Sequence, residues 1–253
     1  MTPEIQQLDV FPAYGQQNLN AKGIRRFIHR IVPRHTYAGL RFEIHVSRVR
    51  FKSRSVRKQF ERCDNVLVNL GAGPHGKPGW INVDVYELPS INCVYDCRKS
   101  LPFRNDSVKG IFCEHFFEHI DYTEEAPYFL SECYRVLKPG GVIRLIVPDA
   151  EKYLRAYCEG DWEQLRRIRP LDSEDKDAHF SCKYNVPMEL INVVFRQGHE
   201  HKYAYDYANL EFLLRRYGFS TVMRQAFGQS LMSDLCLDQP IRASESLYVD
   251  ARK

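Results

Sequence analysis

The stretch Asn65–Val85, NVLVNLGAGPHGKPGWINVDV, decides how the rest of the chain is read. VLVNL is a short unbroken apolar run, and INVDV is a second one that contains an acid. Both have the length and β-branched content of buried strands. Between them lie Gly71, Gly73, Gly76 and Gly79 with Pro74 and Pro78, a composition that discourages any helix. In an open parallel sheet, ligands bind beyond the carboxyl ends of the strands. Gly71 and Gly73 follow directly on the first strand, where the missing Cβ lets a ligand approach the backbone. Asp84 ends the neighbouring strand, where a carboxylate can accept hydrogen bonds from both hydroxyls of a ribose.

A dinucleotide site would need a helix between the glycines and the acid, because its N-terminus holds the pyrophosphate. No such helix fits here. The expected ligand is therefore a nucleoside without phosphates, and S-adenosyl-L-methionine (SAM) has that chemistry: adenine, ribose and a cationic sulfonium amino acid. VYDCRKSLPF adds Asp96 at the end of a third strand, placed to accept from an adenine amine, with the Cys97 amide facing the ring. IFCEHFFEHI puts Glu114 to Phe117 just past a fourth strand, at the same sheet edge. A GxG alone equally marks a tight turn; acids at the ends of further strands argue against that simpler reading.

The alternation continues outward. INCVY is the third strand and VKGIFC the fourth. A helix follows, with Ala126, Phe129, Leu130, Cys133 and Leu137 on one face and Asp121 or Thr123 as cap. VIRLIVPD is a fifth strand, and FSTVMRQAF and ESLYVDAR close the chain. Asp206 is a natural N-cap for a helix carrying Leu210, Leu213, Leu214 and Tyr217, and Gly218 stops it. The fold class is α/β, a mostly parallel sheet covered by helices.

LVNLGAGPHGKPGWINVDV, LPFRNDSVKGIFCEHFFEHI and ECYRVLKPGGVIRLIVPD, in this order, resemble the class I SAM-dependent methyltransferases. The nearest group carries LNLGCG, GWINVD and LPF…EH signatures, often among cell-surface polysaccharide functions. The resemblance covers about Asn65 to Lys253. It implies a Rossmann-like, seven-stranded sheet with the last strand antiparallel and a helical insert after the fifth strand. It also implies that Asn69, Gly71, Ala72 and Gly73 line the methionine and ribose, that Asp84 and Val85 hold the ribose, and that Asp96 and Cys97 meet the adenine. Glu114, His115 and Phe116 would close the pocket. Many members have a carboxylate where Asn69 stands, so a salt contact to the cofactor amine is not expected here. Only Tyr86 to Ser90 separate the second and third strands, too few for a crossover helix. Either both strands are very short or the sheet is irregular on that side.

Residues 1–62 lie outside the resemblance, and 63–253 are expected to form the methyltransferase domain, with 150–200 as a helical lid over the acceptor. Residues 1–20 read as a loose tail, and a helix from Gly23 is expected to end at Pro33. Leu40 to Phe60 is ambiguous, since LRFEIHVSRV alternates like a strand while SVRKQFERC reads as helix. Between Lys22 and Lys58 Glu43 is the only acid, a composition that suits phosphate, anionic lipid or an acidic partner, or simply a solvated face. With 44% hydrophobic and 27% charged residues the chain is ordinary for a globular protein. No apolar run spans a membrane, no signal pattern opens the sequence and none of the eight cysteines forms a CxxC pair, so a reducing cytoplasm is expected.

Transfer to oxygen needs a base for the acceptor hydroxyl. His201, in QGHEHKYAYDY, is the first choice and Asp149, leaving the fifth strand, the second. The plainer alternatives are that His201 packs against Tyr203 or Tyr205 and that Asp206 only caps its helix. HFFEH places His115 and His119 a helical turn apart, but its glutamate adjoins the wrong histidine for HExxH, and no metal is expected there or among His179, Cys182, His199 and His201. Tyr153, Tyr157, Trp162 and Phe180 read as the core of the lid. The leading function is O-methylation of a saccharide or related small acceptor. Alternatives are RNA or protein methylation with the basic N-terminal segment as docking arm, and a non-catalytic scaffold reaching a partner or a membrane surface.

Overall fold

The computed structural model describes residues 31–168 and 186–253. The expected tail, the helix from Gly23 and the polar loop carrying His179, Phe180 and Cys182 lie outside the described residues.

Seven strands form one sheet: β1 (Val66–Leu70), β2 (Ile81–Asp84), β3 (Cys93–Val94), β4 (Val108–Glu114), β5 (Leu137–Pro148), β6 (Thr221–Gln225) and β7 (Ser246–Arg252). Their order is β3-β2-β1-β4-β5-β7-β6, and only β7 runs antiparallel to its neighbours. This is the expected Rossmann-like arrangement. β5 is buried continuously from Gly141 to Pro148, as a central strand covered on both faces must be. One face of the sheet packs Val68, Ile111, Cys113, Ile143 and Leu145 under the helices; the other carries Phe112, Ile146 and Tyr248 with Trp80 and Leu235.

The short connection after β2 has a simple outcome. β2 and β3 are very short, four and two residues, and pair in parallel across a helix-free loop. The missing crossover helix is replaced by the segment that precedes β1. α1 (Arg34–Phe60) is one continuous helix of 27 residues, so the strand-like alternation of LRFEIHVSRV misleads. Val46, Val49 and Phe60 are buried on its inner face, and Phe60 meets Phe103 edge to face. His45 Nε2 lies 2.8 Å from the Val85 carbonyl and its ring stacks on Tyr86. Arg57 donates to the Tyr95 hydroxyl at 3.0 Å. Part of the basic composition of this segment therefore faces inward, toward the β2–β3 edge.

α2 (Ala126–Val136) buries the predicted stripe of Phe129, Leu130 and Cys133. Asp121 does not cap it directly; its Oδ1 accepts from the amides of Thr123 and Glu124 and shapes the turn before the helix. α3 (Ala150–Cys158), α4 (Trp162–Ile168) and α5 (Pro187–Arg196) form a small separate core around Tyr153, Leu165, Leu190 and Val194. Trp162 packs against it, whereas Tyr157 is 39% exposed and does not belong to it. α6 (Tyr207–Arg216) begins at Asp206, whose Oδ1 accepts from the Asn209 amide at 2.8 Å, and stops at Gly218 with φ +98°.

One buried charge stands inside the sheet. Arg144, with no exposed surface, pairs with Asp250 opposite it on β7 at 2.8 Å and with Asp238 at 2.6 Å. Burial works against its charge, and the two carboxylates outweigh that and raise its pKa. No disulfide links the described cysteines, and Cys93, Cys97, Cys113 and Cys133 are buried thiols. No helix among the described residues is long and apolar enough to cross a membrane.

Candidate cofactor and acceptor site

The glycine loop leaves β1 as a left-handed turn. Gly71 has φ +66° and Gly73 φ +49°, a region where side chains cost energy. A Cβ at Gly71 would run into the Phe116 ring, while one at Gly73 would meet nothing, so the loop opens outward at Gly73. Ala72 is buried and its amide donates to the Val83 carbonyl. Asn69 is buried beneath the loop and donates to Asn82 Oδ1 and the His75 carbonyl, both at 3.3 Å. Its role here is to brace the loop from below, which accounts for an amide at this position.

Asp84 stands where the sequence puts it. Its carboxylate accepts from the Gly73 amide at 2.9 Å and from the Tyr86 amide at 2.9 Å, one on each oxygen. Burial raises its pKa, and those amides only partly offset the effect. Each oxygen keeps acceptor capacity for a ribose hydroxyl.

Asp96 is a different matter. Its Oδ1 accepts from Arg98 Nε at 2.9 Å and its Oδ2 from Arg50 Nε at 2.7 Å, with Arg50 Nη2 at 2.6 Å. Arg98 continues to Glu125 and Glu43. With α1 docked, this carboxylate is saturated by two guanidiniums and offers an adenine amine no open lone pair. Cys97 is a core thiol whose pKa burial pushes far up. The arginine clamp is invisible to local sequence reading, because one of its members comes from α1.

Past β4, Glu114 accepts from the Gln239 amide and side chain at 2.9 and 3.0 Å. His115, at φ +50°, turns the chain into the 3₁₀ turn Phe117–His119, and its Nε2 lies 2.8 Å from Ser246 Oγ. That turn is not the α-helical one HFFEH suggests. It buries Glu118 completely, with His115 Nδ1 at 3.2 Å and with His119 Nε2 and His201 Nε2 each at 4.0 Å from Oε1. Burial alone would raise the Glu118 carboxyl, but the three imidazoles reverse that and hold it at about 2.

His201 is buried, and its Nδ1 sits 2.6 Å from the Val194 carbonyl on α5. A carbonyl only accepts, so Nδ1 carries a proton, and Nε2 lies on the Glu118 side. Instead of packing on Tyr203 or Tyr205 the ring meets His119 edge to face, at 4.8 Å between centroids. Lys202 and Tyr203 amides donate to the Glu118 carbonyl at 2.7 and 3.3 Å and clamp the two segments together. Asp149, the second candidate base, has no exposed surface. It caps α3 through Lys152 N at 3.4 Å and pairs with Arg224 at 2.7 Å, so the geometry gives it a structural task. The sequence missed Glu118 because its partner His201 is remote along the chain; the second acid in EHFFEH was the available signal.

Residues 84–145 match the family model described as a methyltransferase domain. The matched stretch begins at Asp84 and takes in β3, β4, α2 and most of β5. No curated protein matches the chain. Among solved structures it is similar to a SAM-dependent methyltransferase from Archaeoglobus fulgidus, at 16% identity over 81% of this chain and 94% of that one, TM-score 0.45. A second from Thermotoga maritima shares 15% identity over 91% and 98% of the two chains, TM-score 0.45. Phosphoethanolamine N-methyltransferase 2 from Haemonchus contortus, in complex with SAM, shares 12% over 80% and 52%, TM-score 0.41. Likenesses this distant carry no argument about the reaction.

The residues fit the expected cofactor on its ribose side. Gly73 leaves open space above the loop, and Asp84 presents two acceptors beside it. At the adenine side Asp96 is taken by Arg50 and Arg98 and supplies no open acceptor. Bound there, SAM supplies a methyl group already activated by its sulfonium. Asp84 would hold the nucleoside there, beside the loop that Phe116 packs against at Gly71.

Proposed function

We propose that the chain methylates a hydroxyl of a saccharide or related small acceptor, seated beneath α3–α5 at the end of β4. The observation that carries this reading is the buried Glu118–His119–His201 cluster at the same sheet edge as the glycine loop. A neutral hydroxyl must lose its proton as it attacks, and this cluster is the polar group placed to act on it. Val194 orients His201, burial lowers the His119 pKa against the opposing pull of Glu118, and the His119 ring, 30% exposed, reaches outward. We assign the proton to the cluster as a unit, with His201 inside it, rather than to Asp149. The subgroup with LPF…EH signatures supports a saccharide acceptor by resemblance only.

The test is transfer of labelled methyl from SAM into purified pools of saccharide, RNA and protein, in the full-length chain. Label in the saccharide pool, stable to mild base, supports the proposal. Label confined to RNA or protein sinks it and favours the alternative in which the N-terminal segment docks a macromolecule.

A further inference from the structure

We infer that Glu118, His119 and His201 form a divalent transition-metal site. Glu118 is 1% exposed, and neither carboxylate oxygen makes a hydrogen bond of good geometry. A buried carboxylate in that condition is costly, and an ion is one of the few things that accounts for it. One ligand atom from each of the three residues lies within 4.8 Å of the others, and Glu118 Oε1 is 4.0 Å from both Nε2 atoms. Metal–ligand bonds of about 2.0–2.2 Å would close these gaps with a small inward movement of the rings.

The surroundings are those a ligating histidine requires. His201 donates Nδ1–H to the Val194 carbonyl at 2.6 Å, which fixes its tautomer and aims the Nε2 lone pair at Glu118. The Glu118 backbone is pinned to the His201 loop by the Lys202 and Tyr203 amides, so the ligands on the two segments are held in register. His115 Nδ1 stands 3.2 Å from Oε1 and is itself braced by Ser246, as a supporting residue would be. The Tyr205 hydroxyl is another buried polar group without a hydrogen bond. Two imidazoles and one carboxylate suit zinc, cobalt, nickel or ferrous iron rather than magnesium or calcium. Such a set leaves coordination positions open, on the side where His119 is exposed.

This inference rests on the cluster and not on the acceptor reading, so its test involves neither SAM nor acceptor. The full-length protein is stripped with chelator and dialysed against Zn²⁺ or Co²⁺, and bound metal is measured by elemental analysis. One ion per chain, visible absorption bands with Co²⁺ and a raised melting temperature are expected. His119→Ala and Glu118→Gln should each weaken binding at least tenfold, and His119→Ala, at a partly exposed ring, keeps the test informative if Glu118→Gln fails to fold. His199→Ala, at an exposed ring stacked on His35, should leave binding unchanged. Substoichiometric metal in the wild type, or stoichiometric metal that survives His119→Ala, would overturn the assignment.

Discussion

Arg50, on the N-terminal helix, reaches across the β2–β3 edge to set its Nη2 2.6 Å from Oδ2 of Asp96. The side chain of Asp96 is 3% exposed and that of Arg50 35%, so the two ends of the pair differ in what their loss should cost. Arg50→Ala leaves Asp96 with Arg98 and should destabilise by only about 1 kcal/mol. Asp96→Asn removes the anion between two guanidiniums and should approach the 3–5 kcal/mol of a broken buried pair, reduced to roughly 2 kcal/mol because Arg98 keeps Glu125. Urea unfolding of both variants measures the difference. Equal losses would mean that the Arg50 contact carries as much as all the partners of Asp96 together, against this expectation.

Acid should expose the same pair. Burial pushes the Asp96 carboxyl up, but Arg98 and Arg50 outweigh it and leave the folded pKa below the ordinary 3.8. The unfolded chain therefore takes up this proton first as pH falls. The pair's contribution is intact above the unfolded value and disappears as pH drops through the folded one. The stability gap between wild type and Asp96→Asn should be constant from pH 7 to 5 and shrink below pH 4. A gap that does not shrink at all below pH 4 would contradict this.

Asp84 has the opposite shift and a different consequence. Its carboxyl is raised by burial, so it protonates above the usual aspartate range and then offers the ribose fewer lone pairs. SAM affinity, measured by calorimetry, should weaken as pH falls toward that range. Asp84→Ala should reduce affinity at neutral pH by tenfold or more, since a charge-assisted hydrogen bond contributes about 1.5–3 kcal/mol. Unaltered binding in Asp84→Ala would place the nucleoside elsewhere.

Gly71→Ala tests the turn itself. The new methyl would meet both a left-handed backbone and the Phe116 ring. The single variant should lose about 2–3 kcal/mol, of which roughly 1 kcal/mol is the backbone term. Measured against Phe116→Ala as background, the same change should cost only that backbone term. A thermodynamic cycle of the four proteins separates the two contributions.

Arg144→Met should destabilise by about 3–5 kcal/mol, because Asp238 and Asp250 would be left buried and uncompensated. Circular dichroism in denaturant reads it directly. A loss under 1 kcal/mol would mean that the two acids take up protons instead.

The strands were legible because each is a short apolar run next to a turn of glycine, proline or aspartate. Asp206 and Gly218 announced α6 by their capping chemistry alone. Asp84 was legible for the same reason, as an acid at a strand end in a known register with a glycine loop. What escaped depends on remote partners. α1 alternates like a strand over Leu40–Val49, and it is helical with Val46 and Val49 buried. The Asp96 clamp and the Glu118 cluster each join segments that no periodicity connects, Arg50 in one case and His201 in the other. Where an acid faces is decided by its cation, and the cation is not local.

The roof over the β2–β3 edge comes from the start of the chain, and that has a consequence for biogenesis. During synthesis α1 leaves the ribosome before β3 and Phe103 exist, so Val46, Val49 and Phe60 wait without a docking surface. Its contacts with the β2–β3 edge close loops of 38 to 46 residues, an entropic cost met only once that edge exists. Substitutions in α1 should accordingly leave the refolding rate nearly unchanged and accelerate unfolding, the kinetic signature of an element that locks a nucleus built elsewhere.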